Sequence, residues 1–208
     1  IRLNAMAKIN LGLDVTGKRP DGYHELRMVM QMINLYDKIE IIKLETPEII
    51  VETNLSFLPV NENNIVYKAA QLLMNKFHLT QGVRIVLEKH IPVAAGMAGG
   101  SSDAATVLYG MNKLFSLGMT KKQMMEEGVK LGADVPYCVL RTTALSEGIG
   151  EILTTLPPMP KCHIVIAKPG ISVSTKAVFG KLRVNEIEEH PDIDGIVEAI
   201  KAGSLTDI

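Results

Sequence analysis

A change of pattern between residues 83 and 115 constrains this chain more than any other feature. VRIVLE (83–88) has the period-two alternation of a β-strand, whereas apolar residues recur at helical spacing from Ala104 to Phe115. Between them lies IPVAAGMAGGSSDAA (91–105), called below the glycine-rich segment. The sequence therefore predicts that three glycines and two serines lie at a strand–loop–helix junction.

The composition of the glycine-rich segment is compatible with two interpretations. Glycines allow backbone N–H groups to converge on an anion, and a helix N-terminus adds unpaired donors and about half a positive charge. The alternative is an ordinary helix start in which Ser101 or Ser102 is the cap. The segment has neither the Gly-Lys-Ser/Thr of a Walker motif nor the Gly-x-Gly-x-x-Gly of a dinucleotide site. Its spacing alone leaves both interpretations open.

Strand and helix signals alternate along the rest of the chain. Runs rich in β-branched residues predict strands over 39–44, 48–52, 83–88 and 163–167. Apolar spacing predicts helices over 64–77 and 104–115, and the last stretch of the chain, from residue 191, also reads as a helix. Another helix should start at Thr120, where Gln123 completes a capping box, and stop near Gly132. The proline-dense stretch 154–162 is the predicted domain junction.

Composition excludes several classes of function. The formal net charge of −1 and the pI near 6.6 offer no basic field for nucleic acid. No apolar run reaches the roughly 18 residues of a membrane-spanning helix, and no signal-peptide pattern is visible, so the expected location is the cytoplasm. Cys138 and Cys162 are expected to be small buried residues in a reducing compartment.

Three further stretches carry candidate site residues. Lys8 and Asn10 fall on one side of the strand-like run AKINLGLDV, where the lysine either reaches solvent or is held for charge work. Tyr23 and His24 follow a Pro-Asp-Gly turn, either as ordinary strand residues or as a paired aromatic and imidazole. Asp134, in LGADVPYCV, is either a turn residue or a carboxylate placed to accept a hydroxyl proton.

These stretches together resemble one enzyme family. AKINL, DGYHE, PVAAGMAGGSSDAA and GADVPY occur in this order in the 4-diphosphocytidyl-2-C-methyl-D-erythritol kinases, which belong to the galactokinase, homoserine kinase, mevalonate kinase and phosphomevalonate kinase superfamily. The resemblance extends over essentially the whole chain. It implies phosphorylation of the substrate 2-hydroxyl by ATP, with Mg²⁺, in the non-mevalonate route to isoprenoid precursors. A different small-molecule kinase of the superfamily and a non-catalytic nucleotide-binding module are the alternatives.

The resemblance also assigns roles to individual residues. Lys8 and Asp134 match the catalytic pair at the reacting hydroxyl, with Asp134 either accepting the proton or only orienting the hydroxyl. Asn10, Tyr23, His24 and Phe179 match residues that contact the substrate, the aromatic ones at its cytosine. No residue is assigned to a metal ion. The ATP-side residues are Asn64, Pro92, Ala94, Ala95, Gly96, Met97, Ala98, Gly99, Gly100, Ser101 and Ser102.

The implied architecture is an α+β fold of two domains with the active site in the cleft between them. Residues 1–153 would form the ATP-binding kinase domain, of the type of ribosomal protein S5 domain 2, with residues 11–32 reaching toward the substrate domain. Residues 154–208 would begin a ferredoxin-like substrate-binding domain. The superfamily's third glycine-rich motif is absent from the sequence, so this second domain is expected to be incomplete. Met6 stands where many relatives have proline.

Overall fold

Two long strands begin the chain and pair with each other. In the computed structural model, which describes residues 1–171 and 175–208, these strands are β1 (Arg2–Lys18) and β2 (His24–Lys43). The Pro-Asp-Gly turn joins them, with Gly22 at φ +87° and the Tyr23 amide donating to the Asp21 carboxylate. The predicted turn and the strand over AKINLGLDV are therefore confirmed.

The remaining elements alternate between strands and helices. They are β3 (Ile49–Thr53), α1 (Ile65–Phe77), β4 (Val83–Glu88), α2 (Gly99–Leu114), α3 (Lys121–Val129), α4 (Val135–Leu140), β5 (Ala144–Gly148), β6 (Ile152–Thr155), α5 (Thr175–Lys181), a 3₁₀ turn (Val184–Glu186) and α6 (Ile193–Ala202). None of these helices is long and apolar enough to cross a membrane in the ranges that the structure describes. The chain has a mixed α/β fold.

Residue contacts divide the chain into two compact units. The first unit comprises residues 1–7, 33–93 and 97–140, and the second comprises 8–32, 94–96 and 141–208. This division differs in position from the predicted boundary between residues 153 and 154. The assignment of an ATP-binding domain to 1–153 and a substrate-binding domain to 154–208 stays a prediction.

In the first unit, helices cover a small sheet. Strand β4 pairs in parallel with β3 and antiparallel with the second half of β2, where Ile41 lies opposite Ile85. Helix α2 approaches this sheet so closely that a Cβ on Gly110 would lie 2.4 Å from the Ile41 Cδ1, so a larger residue there would displace the end of the Ile41 side chain. Helix α1 packs against α2, and Leu73 and Leu108 are fully buried. Burial of large apolar side chains is the main stabilising contribution, at about 25 cal/mol per Å².

In the second unit, the first half of β2 pairs antiparallel with β5, which pairs in turn with β6. Helix α6 contributes Ile193, Val197 and Ile200 to an apolar cluster with Val29 and Leu156. The apolar spacing of the C-terminal stretch therefore marks a real amphipathic helix, as predicted.

The sequence-based elements agree with the structure in most places. The predicted strand 83–88 coincides with β4, and the runs 39–44 and 48–52 fall within or next to β2 and β3. The predicted strand over 163–167 is wrong, since these residues have no regular structure and Val165 is 95% exposed. A strand needs a neighbour for its backbone groups, and no described strand pairs with this run. The nearby Cys162 is exposed, which corrects the expectation for that residue, whereas Cys138 is buried as expected.

Candidate functional site

Every second residue from 94 to 98, just before α2, has a left-handed backbone conformation. Ala94, Gly96 and Ala98 have positive φ angles of 54°, 71° and 53°. Three of the five positions from 94 to 98 are thus left-handed, and left-handed residues are a component of the backbone concavities whose successive N–H groups bind anions. Ala94, Gly96 and Gly100 are exposed, whereas the Met97 side chain is buried and leaves only its backbone for a ligand.

Helix α2 begins at Gly99, before the serines, with Ala98 as its N-cap residue. Ala98 has no side chain that could accept a hydrogen bond, and no side chain caps this helix. The Ser102 hydroxyl donates instead to the Met6 carbonyl at 2.7 Å, and Ser102 is buried. Because the first N–H groups of any helix lack intrahelical acceptors, the start of α2 keeps donors available for an anion.

Asn64 caps the neighbouring helix α1. Its Oδ1 accepts from the Val66 amide at 3.0 Å, and its Nδ2 donates to the Pro59 carbonyl at 2.7 Å. The next residue, Ile65, lies beside the start of α2, because a Cβ on Gly100 would be 3.6 Å from the Ile65 Cγ2. Asn64 thus has a structural role that the sequence analysis did not assign, and its contact with adenine stays a prediction.

Lys8 and Asn10 are brought together on β1. The Lys8 Nζ donates to the Asn10 Oδ1 at 3.0 Å, and Lys8 is only 5% exposed. A buried ammonium requires partners, so the alternative in which Lys8 extends into solvent is wrong. The two residues share one side of the strand, as their spacing predicts.

Tyr23 and His24 lie in different environments although they are adjacent in sequence. Tyr23 is 59% exposed, whereas His24 is 9% exposed. The His24 ring lies against Phe179 of α5, with 5.3 Å between the ring centroids and an angle of 42° between their planes. The second unit therefore brings together two of the three predicted cytosine contacts.

Asp134 directly precedes α4 and is half-buried. Its backbone carbonyl accepts from the Cys138 amide at 3.1 Å, which starts the helix. Asp134 belongs to the first unit and Lys8 to the second. Their meeting at one hydroxyl stays a prediction.

Three buried charged residues that contact the ends of the glycine-rich segment were not predicted from the sequence. Lys89 contacts both Asp37 and Asp103, and each of the three is at most 8% exposed. Burial, with a contribution from the Asp37 charge and against the attraction of Lys89, raises the pKa of Asp103 to about 8. The only sequence signal is that each of these charged residues lies within an apolar pattern. That signal cannot show that Lys89 pairs with Asp37, 52 positions away, or with Asp103, 14 positions away.

Comparison with known proteins identifies the family. Residues 64–142 match the family described as GHMP kinases N terminal domain. The chain is 61% identical over 97% of its length to a 4-diphosphocytidyl-2-C-methyl-D-erythritol kinase of Lachnospira eligens, spanning 70% of that protein. The chain belongs to the 4-diphosphocytidyl-2-C-methyl-D-erythritol kinase family. A relative of the same name from Lachnoclostridium phytofermentans is 60% identical over 99% of the chain and is also spanned to 70%.

Solved structures agree with this family membership. A crystal structure of 4-(cytidine 5'-diphospho)-2C-methyl-D-erythritol kinase superposes with a TM-score of 0.77 at 31% identity, over 98% of this chain and 72% of that one. A homoserine kinase from Cytophaga hutchinsonii superposes with a TM-score of 0.66 at 17% identity, over 98% and 70% of the two chains, which shows a shared fold. The chain thus has the fold of these small-molecule kinases.

Proposed function

We propose that this chain transfers the γ-phosphoryl group of ATP to the 2-hydroxyl of 4-diphosphocytidyl-2-C-methyl-D-erythritol, a step of the non-mevalonate route to isoprenoid precursors. Membership of the family makes the chain a small-molecule kinase. The structural observation that carries the proposal is the uncapped start of α2 behind three left-handed residues. This geometry suits a triphosphate, because phosphoryl transfer depends mainly on positioning and on stabilising negative charge.

On the ATP side, the backbone from Gly96 to Ser101 would hold the phosphate oxygens, and the buried Ser102, whose amide donates to the Ala98 carbonyl at 2.8 Å, would support the helix start from behind. Amide donors at the start of α2 and the positive end of its dipole supply an attraction that needs no charged side chain. Gly100 is exposed and has no side chain, so an oxygen atom could approach the backbone closely there. Asn64 would lie on the adenine side.

At the reacting hydroxyl, Lys8 and Asp134 would have complementary roles. The buried ammonium of Lys8, oriented by Asn10, would stabilise negative charge on the hydroxyl oxygen and the phosphoryl group. The carboxylate of Asp134 would accept the hydroxyl proton as the oxygen attacks phosphorus. In the alternative, Asp134 only orients the hydroxyl and the proton leaves to the phosphate.

At the other end of the substrate, His24 and Phe179 would bind the cytosine together with Tyr23. The His24 ring packs on Phe179, so the imidazole and the phenyl ring lie together where the base would bind. The exposed Tyr23 is free to stack on a base, and base–aromatic stacking contributes about 1–3 kcal/mol. This pair supports a cytidine substrate over the alternatives in the superfamily.

Mg²⁺ would arrive as a complex with ATP. No three His, Cys, Asp or Glu side chains converge on a metal position among residues 1–171 and 175–208. Mg²⁺ in phosphoryl-transfer sites commonly uses substrate phosphates and water for most of its ligands. The domain layout, with an S5-type and a ferredoxin-like domain flanking a cleft, and a cytoplasmic location belong to this proposal.

The test is an activity panel. The protein is incubated with ATP, Mg²⁺ and a set of alcohols that includes the diphosphocytidyl sugar alcohol, homoserine and mevalonate, and ADP release is measured. We expect turnover with the cytidine substrate and at least about 100-fold lower kcat/KM with the others, which corresponds to two factors of ten in transition-state binding. Preference for another alcohol would contradict the proposed substrate, and absence of ADP release with every alcohol would contradict the kinase assignment.

A further inference from the structure

Three buried ionisable side chains join the two ends of the glycine-rich segment. The Asp37 Oδ1 accepts from the amides of His90 and Ile91, at 2.5 and 2.7 Å, where the segment begins. The Asp37 Oδ2 binds the Lys89 ammonium, which also donates to the Asp103 Oδ2 at 2.7 Å. Asp103 lies in the first turns of α2, where the segment ends. One lysine therefore links the chain before the segment to the helix after it.

The start of α2 rests directly on this cluster. A Cβ on Gly99 would lie 3.2 Å from the Lys89 Nζ and 3.1 Å from the Ile91 Cγ2. Glycine at this position lets the helix start descend onto the ammonium. The other oxygen of Asp103, Oδ1, is buried and has no hydrogen-bond partner among the residues that the structure describes, so the cluster is not arranged for maximal stability.

A buried ion cluster is an expensive way to hold a fold together. Desolvation of the charges largely cancels their attraction, and apolar side chains of similar size often stabilise a protein as well or better. What such a cluster supplies is directional attachment, since each oxygen fixes one particular donor. Here the donors, which are the Lys89 ammonium and the amides of His90 and Ile91, precede the backbone that the proposed function assigns to the triphosphate, and the acceptor Asp103 follows it.

We infer that Asp37, Lys89 and Asp103 are positioning residues for ATP, which act by holding the glycine-rich segment in its anion-binding conformation. They do so without touching the nucleotide, because all three side chains are buried. This inference rests on the proposed function for the identity of the ligand. The conformation of the segment is a property of the free protein and is measured separately.

The chain offers a matched control cluster. Glu127 of α3 is also buried and accepts from both Lys76 and Lys130, the latter at 2.7 Å. Lys76 lies 11 residues beyond Ile65 on α1, roughly 16 Å along the helix from the start of α2. Loss of the Glu127 carboxylate therefore removes a buried acid that binds two lysines far from the glycine-rich segment, although these lysine side chains are 42% and 59% exposed.

The experiment compares Asp103→Ala, Asp103→Asn and Glu127→Ala in the full chain. Amide hydrogen exchange of residues 94–102 is measured without ligand, and the Kd for a non-hydrolysable ATP analogue with Mg²⁺ is measured by calorimetry at pH 7. In Asp103→Ala we expect exchange at least about tenfold faster and a Kd at least about tenfold weaker, because the end of the segment is released. Asp103→Asn keeps an acceptor for Lys89 and should restore both to within about threefold of wild type.

The control decides between positioning and general stability. Glu127→Ala should lower the melting temperature while both segment readouts stay within about twofold of wild type. Equal effects of Asp103→Ala and Glu127→Ala on the segment, or no effect of Asp103→Ala, would overturn the inference. If Asp103→Ala does not fold, Asp103→Ser, whose hydroxyl stops short of Lys89, takes its place. If wild type shows no ATP binding, the proposed function fails, whereas the exchange contrast still tests the positioning.

Discussion

Helices α2 and α3 begin in opposite ways. At the start of α3, the Thr120 Oγ1 accepts from the Gln123 amide at 3.2 Å, and the Gln123 side chain accepts from the Thr120 amide at 2.9 Å. At the start of α2, the N-cap residue is Ala98 in the left-handed conformation, with no side-chain cap. At the start of α3, side chains accept from two of the amides, whereas the start of α2 leaves its amides available.

The buried acids of the two helices also differ, because their pKa values are shifted in opposite directions. Hydrogen bonds from Lys130 and Lys76 lower the pKa of Glu127 in α3, whereas burial raises the pKa of Asp103 in α2. The α3 arrangement stabilises the charge it contains. At the start of α2, a carboxyl group is buried at a cost in free energy, and the helix has no side-chain cap. Proteins retain local conflicts of this kind at functional sites. We therefore expect stability to depend on the start of α3 and ATP binding to depend on the start of α2.

The largest effect should come from removing the proposed proton acceptor while both helix starts stay intact. Asp134→Asn keeps the size of the side chain but loses the basic carboxylate, so kcat should fall by about 10²–10⁴ as is typical for loss of a general base. Steady-state kinetics give kcat, and calorimetry should show ATP affinity within about twofold of wild type. A kcat within a few-fold of wild type would make Asp134 an orienting residue, with the proton leaving to the phosphate.

A smaller effect should separate the two substrates. Tyr23→Ala removes an exposed aromatic ring, and we expect binding of the cytidine substrate to weaken by about 1–3 kcal/mol, the range for base stacking. ATP affinity, which the account assigns to the start of α2, should stay unchanged. Calorimetric titration with each ligand measures both. Equal losses for the two ligands would indicate a folding defect, and no loss for the cytidine substrate would remove Tyr23 from the site.

The pH dependence of stability should differ in sign between the two acids. Asp103 has a folded-state pKa of about 8, above its ordinary value of 3.8, so the folded protein binds its proton more tightly than the unfolded chain. Its contribution is therefore greatest below about pH 4 and is lost as the pH rises toward 8, at a slope of at most about 1.4 kcal/mol per pH unit. Asp37 and Lys89 are the charged groups that face it.

Denaturant unfolding of wild type, Asp103→Asn and Glu127→Gln between pH 4 and pH 8 checks this sign. Asp103→Asn should gain stability relative to wild type as the pH rises. Glu127 has a lowered pKa, so its contribution is present above its ordinary value and is lost on acidification. Glu127→Gln should therefore lose stability relative to wild type at neutral pH, and the difference should begin to narrow only as the pH falls below about 4.5. Parallel curves for Asp103→Asn and wild type would contradict the raised pKa.

The smallest of these effects concerns the cap of α3. Thr120→Ala removes the acceptor for the Gln123 amide, and loss of such a cap costs about 1 kcal/mol of the free energy of unfolding. Chemical denaturation measures that loss. ATP affinity should remain at the wild-type value, since Thr120 is not part of the proposed cradle. A parallel loss of ATP affinity would show that the two helix starts are not independent.

The difference between the two helix starts also explains what could be predicted from sequence. The capping box of α3 involves only Thr120 and Gln123. It could be predicted because its hydrogen bonds join residues that are close in sequence. The start of α2 was placed too late, because glycine has a low helix propensity and serine a high capping preference. In the structure, Ser102 satisfies the Met6 carbonyl, a contact between residues 96 positions apart that no local rule contains.

Long-range pairing limited the prediction of strands and of the buried cluster. The first half of β2 was missed because Met28, Val29 and Met30 are all buried, which removes the period-two signal. The run 163–167 has the composition of a strand but no described partner. The roles of Lys8, Tyr23 and Asp134 came from the ordered motifs of the family, since each residue alone has an ordinary structural explanation.

The most direct test of the account is the ATP affinity of Gly100→Val beside that of Thr120→Ala. Gly100 suits the test because a Cβ there meets only the Ile65 Cγ2 at 3.6 Å, whereas a side chain at Gly99 would also disturb Lys89 and Ile91. Calorimetry should show ATP binding weakened at least tenfold in Gly100→Val, about 1.4 kcal/mol, with near wild-type stability. Thr120→Ala should show the reverse. A stable Gly100→Val protein with unchanged ATP affinity would contradict the assignment of the triphosphate to the start of α2.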